Sequence, residues 1–142
     1  MVKVMNRVIY ETDADKLNEQ KVAERIVAAR PYSLHKLPPR HAMDYAAIDE
    51  NGIRAFVEIK CRTFEMGKYP TAMIGMDKVL YARNIYHHFG INSFLFVQWT
   101  DKLAYVSLQN DCTLAMGGRT DRSDPQDVGV YAFFAVDQFK GL

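Results

Sequence analysis

Residues 42–62 constrain the fold of this chain more than any other stretch. Two apolar, β-prone runs, residues 42–49 and 53–61, flank Glu50-Asn51-Gly52, and a short glycine-containing connection between such runs signals a hairpin. The expectation is a pair of antiparallel strands. If the loop is those three residues, with Gly52 in the left-handed conformation that closes a type I turn plus bulge, Asp49 faces Ile53 and Asp44 falls opposite Glu58. Side chains alternate along a strand, so Arg54, Phe56, Glu58, Lys60 and Arg62 share one side while Ile53, Ala55, Val57, Ile59 and Cys61 share the other. The second row is almost wholly apolar and must face a core. The first row, with Asp44 across from it, gathers two carboxylates and an ammonium. A register one residue different would send Asp44 to the opposite face.

Two carboxylates a few ångström apart repel each other unless a cation or a proton lies between them, and a hard divalent ion such as Mg²⁺ is the usual solution. The Ile59 carbonyl offers a third oxygen, and Lys60 is close enough to orient a water or to stabilise charge developing on a phosphorus centre. Such an arrangement suits phosphodiester hydrolysis. The plainer alternative is a cross-strand set of exposed charges on a solvated sheet face.

Asp44, a hairpin, then Glu58-Ile59-Lys60 at the end of an apolar strand, followed by a helix and another apolar strand, resembles the PD-(D/E)XK nuclease superfamily over roughly residues 12–107. The resemblance implies a restriction-endonuclease-like or resolvase-like core in which Asp44 and Glu58 bind the catalytic metal and Lys60 assists hydrolysis. Met43 stands where the superfamily's name has proline. A helix before the first catalytic strand often carries a further glutamate in that superfamily, one that reaches the metal directly or through water. Glu19 is the candidate here.

At 142 residues, 49% hydrophobic and 25% charged, the chain is expected to fold as one domain over residues 1–142. A net charge of +1 supplies no global basic field, so any contact with nucleic acid must come from local patches. Cys61 and Cys112 are too few for a disulfide framework, and Cys61 lies in the apolar row, where a buried thiol is ordinary. The N-terminus lacks the apolar core of a signal peptide and no run is long enough to span a membrane. A cytoplasmic, soluble protein with no membrane partner is therefore expected.

Residues 2–10 alternate weakly, as a short edge strand or an arm used by a partner chain would. A helix is predicted from a cap at Thr12 or Asp13 to about Ala29, with Leu17, Val22, Ala23, Ile26 and Val27 at helical spacing and a break at Arg30-Pro31. Glu19 stands at the end of its buried stripe, where the alternative to metal support is pairing with Arg25 or Lys16. Glu24 points more toward solvent, and capping explains Asp13 and Asp15. Residues 30–41, with three prolines and the basic or titratable Arg30, His35, Lys36, Arg40 and His41, read as a loop whose charges reach phosphates or simply face water.

A second helix is predicted from a Thr71 cap to Phe89, stopped by Gly90. Lys78 and Arg83 on it face either nucleic acid or solvent, and the adjacent His87 and His88 point about 100° apart, which suits no shared metal. Residues 91–100 form a doubly buried central strand with 103–108 as its hairpin partner. Gln98, near its end, either holds a nucleotide or catalytic water or is satisfied structurally. Residues 109–127 lack periodicity and read as a flap; 128–139 give a last strand returning to the sheet or to a dimer surface.

These elements predict an α/β fold, a mixed central β-sheet flanked by helices. The leading functional expectation is a nuclease dependent on Mg²⁺ or Mn²⁺, with DNA as the nucleic-acid partner and a homodimer as the assembly. Asp44, Glu58 and Lys60 would be catalytic; Glu19, Asp44, Glu58 and Ile59 would hold the metal; Arg40, Arg62, Lys68 and Gln98 would contact nucleic acid. The alternative from another class is a non-catalytic nucleic-acid or protein binding module on the same scaffold. A Ser/Cys hydrolase is excluded by the lack of a Gly-x-Ser-x-Gly motif, and a zinc site by the wide separation of the cysteines.

Overall fold

The computed structural model describes residues 12–118 and 128–142. The expected strand or arm at 2–10 and the 119–127 part of the flap lie outside them. The chain begins with helix α1 (Asp13–Ala29), capped as its first turn predicts. The Thr12 hydroxyl accepts the Asp15 amide at 3.1 Å, and the Asp15 carboxylate accepts the Thr12 amide at 3.0 Å. That reciprocal capping box satisfies two amides that would otherwise lack helical partners.

Strands β1 (Ser33–Lys36), β2 (Tyr45–Asp49) and β3 (Gly52–Cys61) follow, then β4 (Thr71–Gly75), helix α2 (Met76–Phe89), β5 (Asn92–Gln98), β6 (Leu103–Ser107), β7 (Thr113–Gly118), β8 (Val128–Ala135) and β9 (Lys140–Gly141). Six of them form one sheet in the order β1-β2-β3-β5-β6-β9, and three form a second in the order β4-β8-β7. In the larger sheet β3 and β5 are parallel and every other pairing is antiparallel, so the sheet is mixed, as expected. The parallel pair at its centre needs a crossover, and β4 with α2 supplies it.

Both faces of this sheet are covered. Val22, Ala23 and Ile26 of α1 pack on Tyr45, Val57, Ile59 and Phe96. On the other side Val79 and Ala82 of α2, with Ile74, Ala132 and Phe134 of the smaller sheet, pack on Phe56, Leu95 and Val97. The row carrying Glu58 therefore faces an interior instead of a solvated surface. Cys61, expected to be buried with the opposite row, is exposed at the strand end.

Three element boundaries differ from expectation, each because a strand pairing overrides the local signal, and one of those pairings, β4 with β8, joins segments distant in sequence. The stretch 30–41 is not all loop: Ser33–Lys36 pairs with β2 despite its flanking prolines. Thr71 does not cap a helix; residues Thr71–Gly75, Met73 among them, form β4 against β8, and α2 starts only at Met76. Within the supposed flap, Thr113–Gly118 forms β7 against β8, and β8 joins the smaller sheet, leaving only β9 to return to the larger one. The end of α2 is as read: Gly90 takes a left-handed conformation at φ 68° and its amide donates to the Tyr86 carbonyl.

Candidate active site

The hairpin reaches the expected pairing by a different route. Asp49 pairs with Gly52, not Ile53, and Ile48 with Ile53; the register then shifts, so that Ala47 pairs with Ala55 and Tyr45 with Val57. The extra residue on β3 restores the offset, and Asp44 arrives beside Glu58. Gly52 has φ 107°, the positive value foreseen for it. Asp49 braces the turn, accepting the Asn51 amide at 2.8 Å and pairing with Arg54 at 3.4 Å.

Asp44 follows a tightly tied connection. Its amide donates to the Val57 carbonyl and its carbonyl accepts the Leu37 amide, while His41 Nδ1 accepts the Met43 amide at 3.1 Å. The His41 ring lies between Phe56 and Tyr81. Met43, in the superfamily's proline position, is 1% exposed and fills the core below α2. One Asp44 carboxylate oxygen, Oδ2, accepts the Ile59 amide at 2.8 Å, which fixes its orientation.

Glu58 is 1% exposed and shares a hydrogen bond with Asp44. Burial is the largest influence on its carboxyl; Lys60 opposes it, the Asp44 bond and charge reinforce it, Lys78 opposes it, and the result is pushed up to about 8. Burial would raise Asp44 as well, but the bond from Glu58, the Ile59 amide and the charges of Lys60 and Lys36 outweigh it and hold Asp44 below its usual value. Near neutrality the pair thus shares one proton and carries one negative charge.

Sequence reasoning missed the role of Lys78. From α2 it turns inward, placing Nζ 3.2 Å from Glu58 Oε2 and donating to the Ala42 carbonyl. A clue was present, since Lys78 lies one residue before the buried Val79, at the edge of the apolar stripe. Despite the ion pair, Glu58 Oε2 has no hydrogen bond of good geometry and is fully buried. A buried carboxylate oxygen so poorly satisfied, beside a second carboxylate, fits a hard divalent ion.

Glu19 is buried on α1, and its partner is neither Arg25 nor Lys16 but Lys36 of β1, whose Nζ donates to Oε1 at 2.8 Å. The same Nζ is 3.9 Å from Asp44 Oδ1. Lys36 thus stands between Glu19 and the carboxylate pair, and among the described residues no three His, Cys, Asp or Glu side chains converge as a ready metal cluster. Arg25 instead donates to Gln98 Oε1 at 2.6 Å, and Gln98 Nε2 donates to the Trp99 carbonyl at 2.5 Å, so this amide is satisfied structurally. Arg40 is exposed in the turn after β1. Lys68 lies over the rings of Phe64 and Tyr69. Arg83, exposed on α2, donates to the carbonyls of Leu108 and Asn110.

A mixed sheet whose central hairpin brings an aspartate, a glutamate and a lysine together defines the PD-(D/E)XK class of phosphodiester-hydrolysing enzymes. The chain belongs to the family described as phage putative PDDEXK endonuclease, whose model matches residues 5–142. Among solved structures it is similar to Hjc, a Holliday junction resolvase from the archaeal hyperthermophile Archaeoglobus fulgidus, with a TM-score of 0.50 and 13% identity, covering 66% of this chain and 77% of that one. At that identity the likeness speaks for the fold. No curated protein matches the sequence. Among the described residues no helix is long and apolar enough to cross a membrane.

Proposed function

We propose that the chain, as a single nuclease domain, hydrolyses DNA phosphodiesters with Mg²⁺ or Mn²⁺ bound at the hairpin. The buried Asp44–Glu58 pair carries this reading, because two carboxylates forced together away from water demand a cation or a proton. Asp44, Glu58 and the Ile59 carbonyl would hold the ion, and Glu19 would reach it directly or through water once Lys36 releases it. A divalent ion there supplies Lewis acidity toward a phosphate oxygen and lowers the pKa of a bound water.

The protein's own groups have distinct tasks in this scheme. The Ile59 amide fixes the Asp44 carboxylate, and Lys78 steadies Glu58 from the α2 side. Lys60, on the same row as Glu58, positions the attacking water and offsets the negative charge that builds on the phosphorus centre. Arg40, Arg62 and Lys68 supply local positive charge for the nucleic-acid backbone, which the net charge of +1 does not.

Hjc resolves Holliday junctions, so branched DNA is the first substrate to try. Cutting two strands of such a junction calls for two active sites, and hence a homodimer. In a cell the chain would act in the cytoplasm. The test compares supercoiled, linear duplex, single-stranded and four-way branched DNA, with Mg²⁺, Mn²⁺ or EDTA, for wild type, Glu58→Ala and Lys60→Ala. Expected is metal-dependent cleavage reduced about a hundredfold or more by either substitution. Cleavage that persists in both variants removes the site assignment. If DNA is bound and never cut, the binding-module alternative takes its place.

A further inference from the structure

Beyond Lys60 the row of β3 continues to Arg62, about 7 Å further along at strand spacing. Arg62 is half-buried and stands where two cavities meet, one of them on the α1 side, beside Cys61. The other, of about 460 Å³, lies between the end of the larger sheet and the smaller one and is walled by Phe64, Tyr69, Trp99 and Phe133. No acidic side chain lines it. That volume lies within the roughly 300–1,000 Å³ typical of small-ligand sites.

The walls are held in place. The Arg62 amide donates to the Gln98 carbonyl, the Thr100 amide to the Phe64 carbonyl, and the Val136 amide to the Pro70 carbonyl. Phe64 and Tyr69 meet edge to face with centroids 5.2 Å apart, and Tyr69 is 51% exposed, leaving ring surface open. Lys68 Nζ lies 5.3 Å from the Phe64 centroid, adding a second positive charge at the rim.

We infer that this cavity is a subsite for one unpaired nucleotide of the strand being cut, its base against the aromatic walls and its phosphate on Arg62. The inference rests on the nuclease reading and narrows it to a substrate class. Aromatic rings stack on any base whose face is free, whereas bases within a continuous duplex already stack on their neighbours. A single strand, or a branch point with an unpaired nucleotide beside the scissile bond, fills the cavity; blunt duplex does not.

Trp99 is the chain's one tryptophan and, at 3% exposed, lies behind the open faces of Phe64 and Tyr69, so its fluorescence is a secondary reporter on this cavity and binding is read from the affinity itself. The experiment titrates metal-free protein in EDTA with a short 5′-phosphorylated single strand of DNA or RNA, and with blunt DNA duplex of the same sequence. Single strands should change Trp99 emission and bind at least tenfold more tightly than duplex. Arg62→Gln and Tyr69→Ala, each checked for folding by circular dichroism, should each weaken that binding about tenfold. Equal response to duplex, or wild-type affinity in both variants, overturns the subsite. Metal-dependent cleavage by a protein that binds single strands no more tightly than duplex also overturns it and leaves the nuclease reading intact. A Trp99 response to single strands without cleavage under any metal supports the subsite and sinks the nuclease reading alone.

Discussion

Glu58 meets three demands at once: it is buried, it sits beside another carboxylate, and it has a lysine at one oxygen. Its folded-state value near 8 lies above the 4.5 of a free glutamate, so the folded protein holds this proton more tightly than the unfolded chain. The stability it contributes is complete below about 4.5 and is lost as pH rises through about 8. Thermal unfolding of metal-free protein should therefore show a melting temperature that falls between pH 5 and pH 8.5, and Glu58→Gln should flatten that decline. Asp44, held low, acts in the other direction and loses its contribution only as pH drops below the ordinary carboxylate range. If Mg²⁺ binds this pair as proposed it displaces the shared proton, so calorimetry should show tighter binding at pH 8 than at pH 6.5, with proton release. Lys78→Ala leaves Glu58 Oε2 without its cation. The cost should be about 3 kcal/mol at pH 9, where Glu58 is ionised, and clearly smaller at pH 6, as read by urea denaturation.

The hairpin was legible because its information is local. Gly52, the apolar runs and strand alternation together specify a turn, two strands and the side on which each residue lies. What the sequence did not display is the shift after Ile48, which compensates for a shorter pairing at the turn and returns Asp44 to Glu58. Gly52 holds that turn at φ 107° with open space around it, so a methyl group there meets backbone strain alone. Gly52→Ala should cost roughly 1–2 kcal/mol in chemical denaturation, while Gly67→Ala, with ordinary φ and equal space, should be near neutral. Thr71–Gly75 and Thr113–Gly118 were misread for the opposite reason. Each becomes a strand only because β8 pairs with it, and β8 lies far along the chain from β4.

At the level of the whole molecule, the smaller sheet is what encloses the site's back wall. Phe134 of β8 is wholly buried and packs into the same cluster as Leu95, Val97 and Val79, joining the two sheets through α2. Phe134→Ala should cost about 3–5 kcal/mol and lower the urea midpoint of the whole domain in one transition, because the cluster is shared between sheets. Separate transitions for the two sheets would contradict that shared core. Helix α2, packed in the same cluster, covers the row carrying Glu58, with Lys78 reaching its carboxyl; a lone hairpin would present that row as a solvated face.

Local sequence determined both ends of α1, the end of α2 at Gly90, the hairpin, the central strand and the placing of Glu58 and Lys60 on one row, since capping, turn geometry and alternation act over a few residues. Tertiary structure alone decided that this row is buried, that Lys78 and Lys36 neutralise its acids, and that an aromatic cavity opens beyond Arg62. Those outcomes depend on which distant surfaces come together, and burial, charge pairing and cavity shape are properties of that assembly that no short stretch of chain encodes.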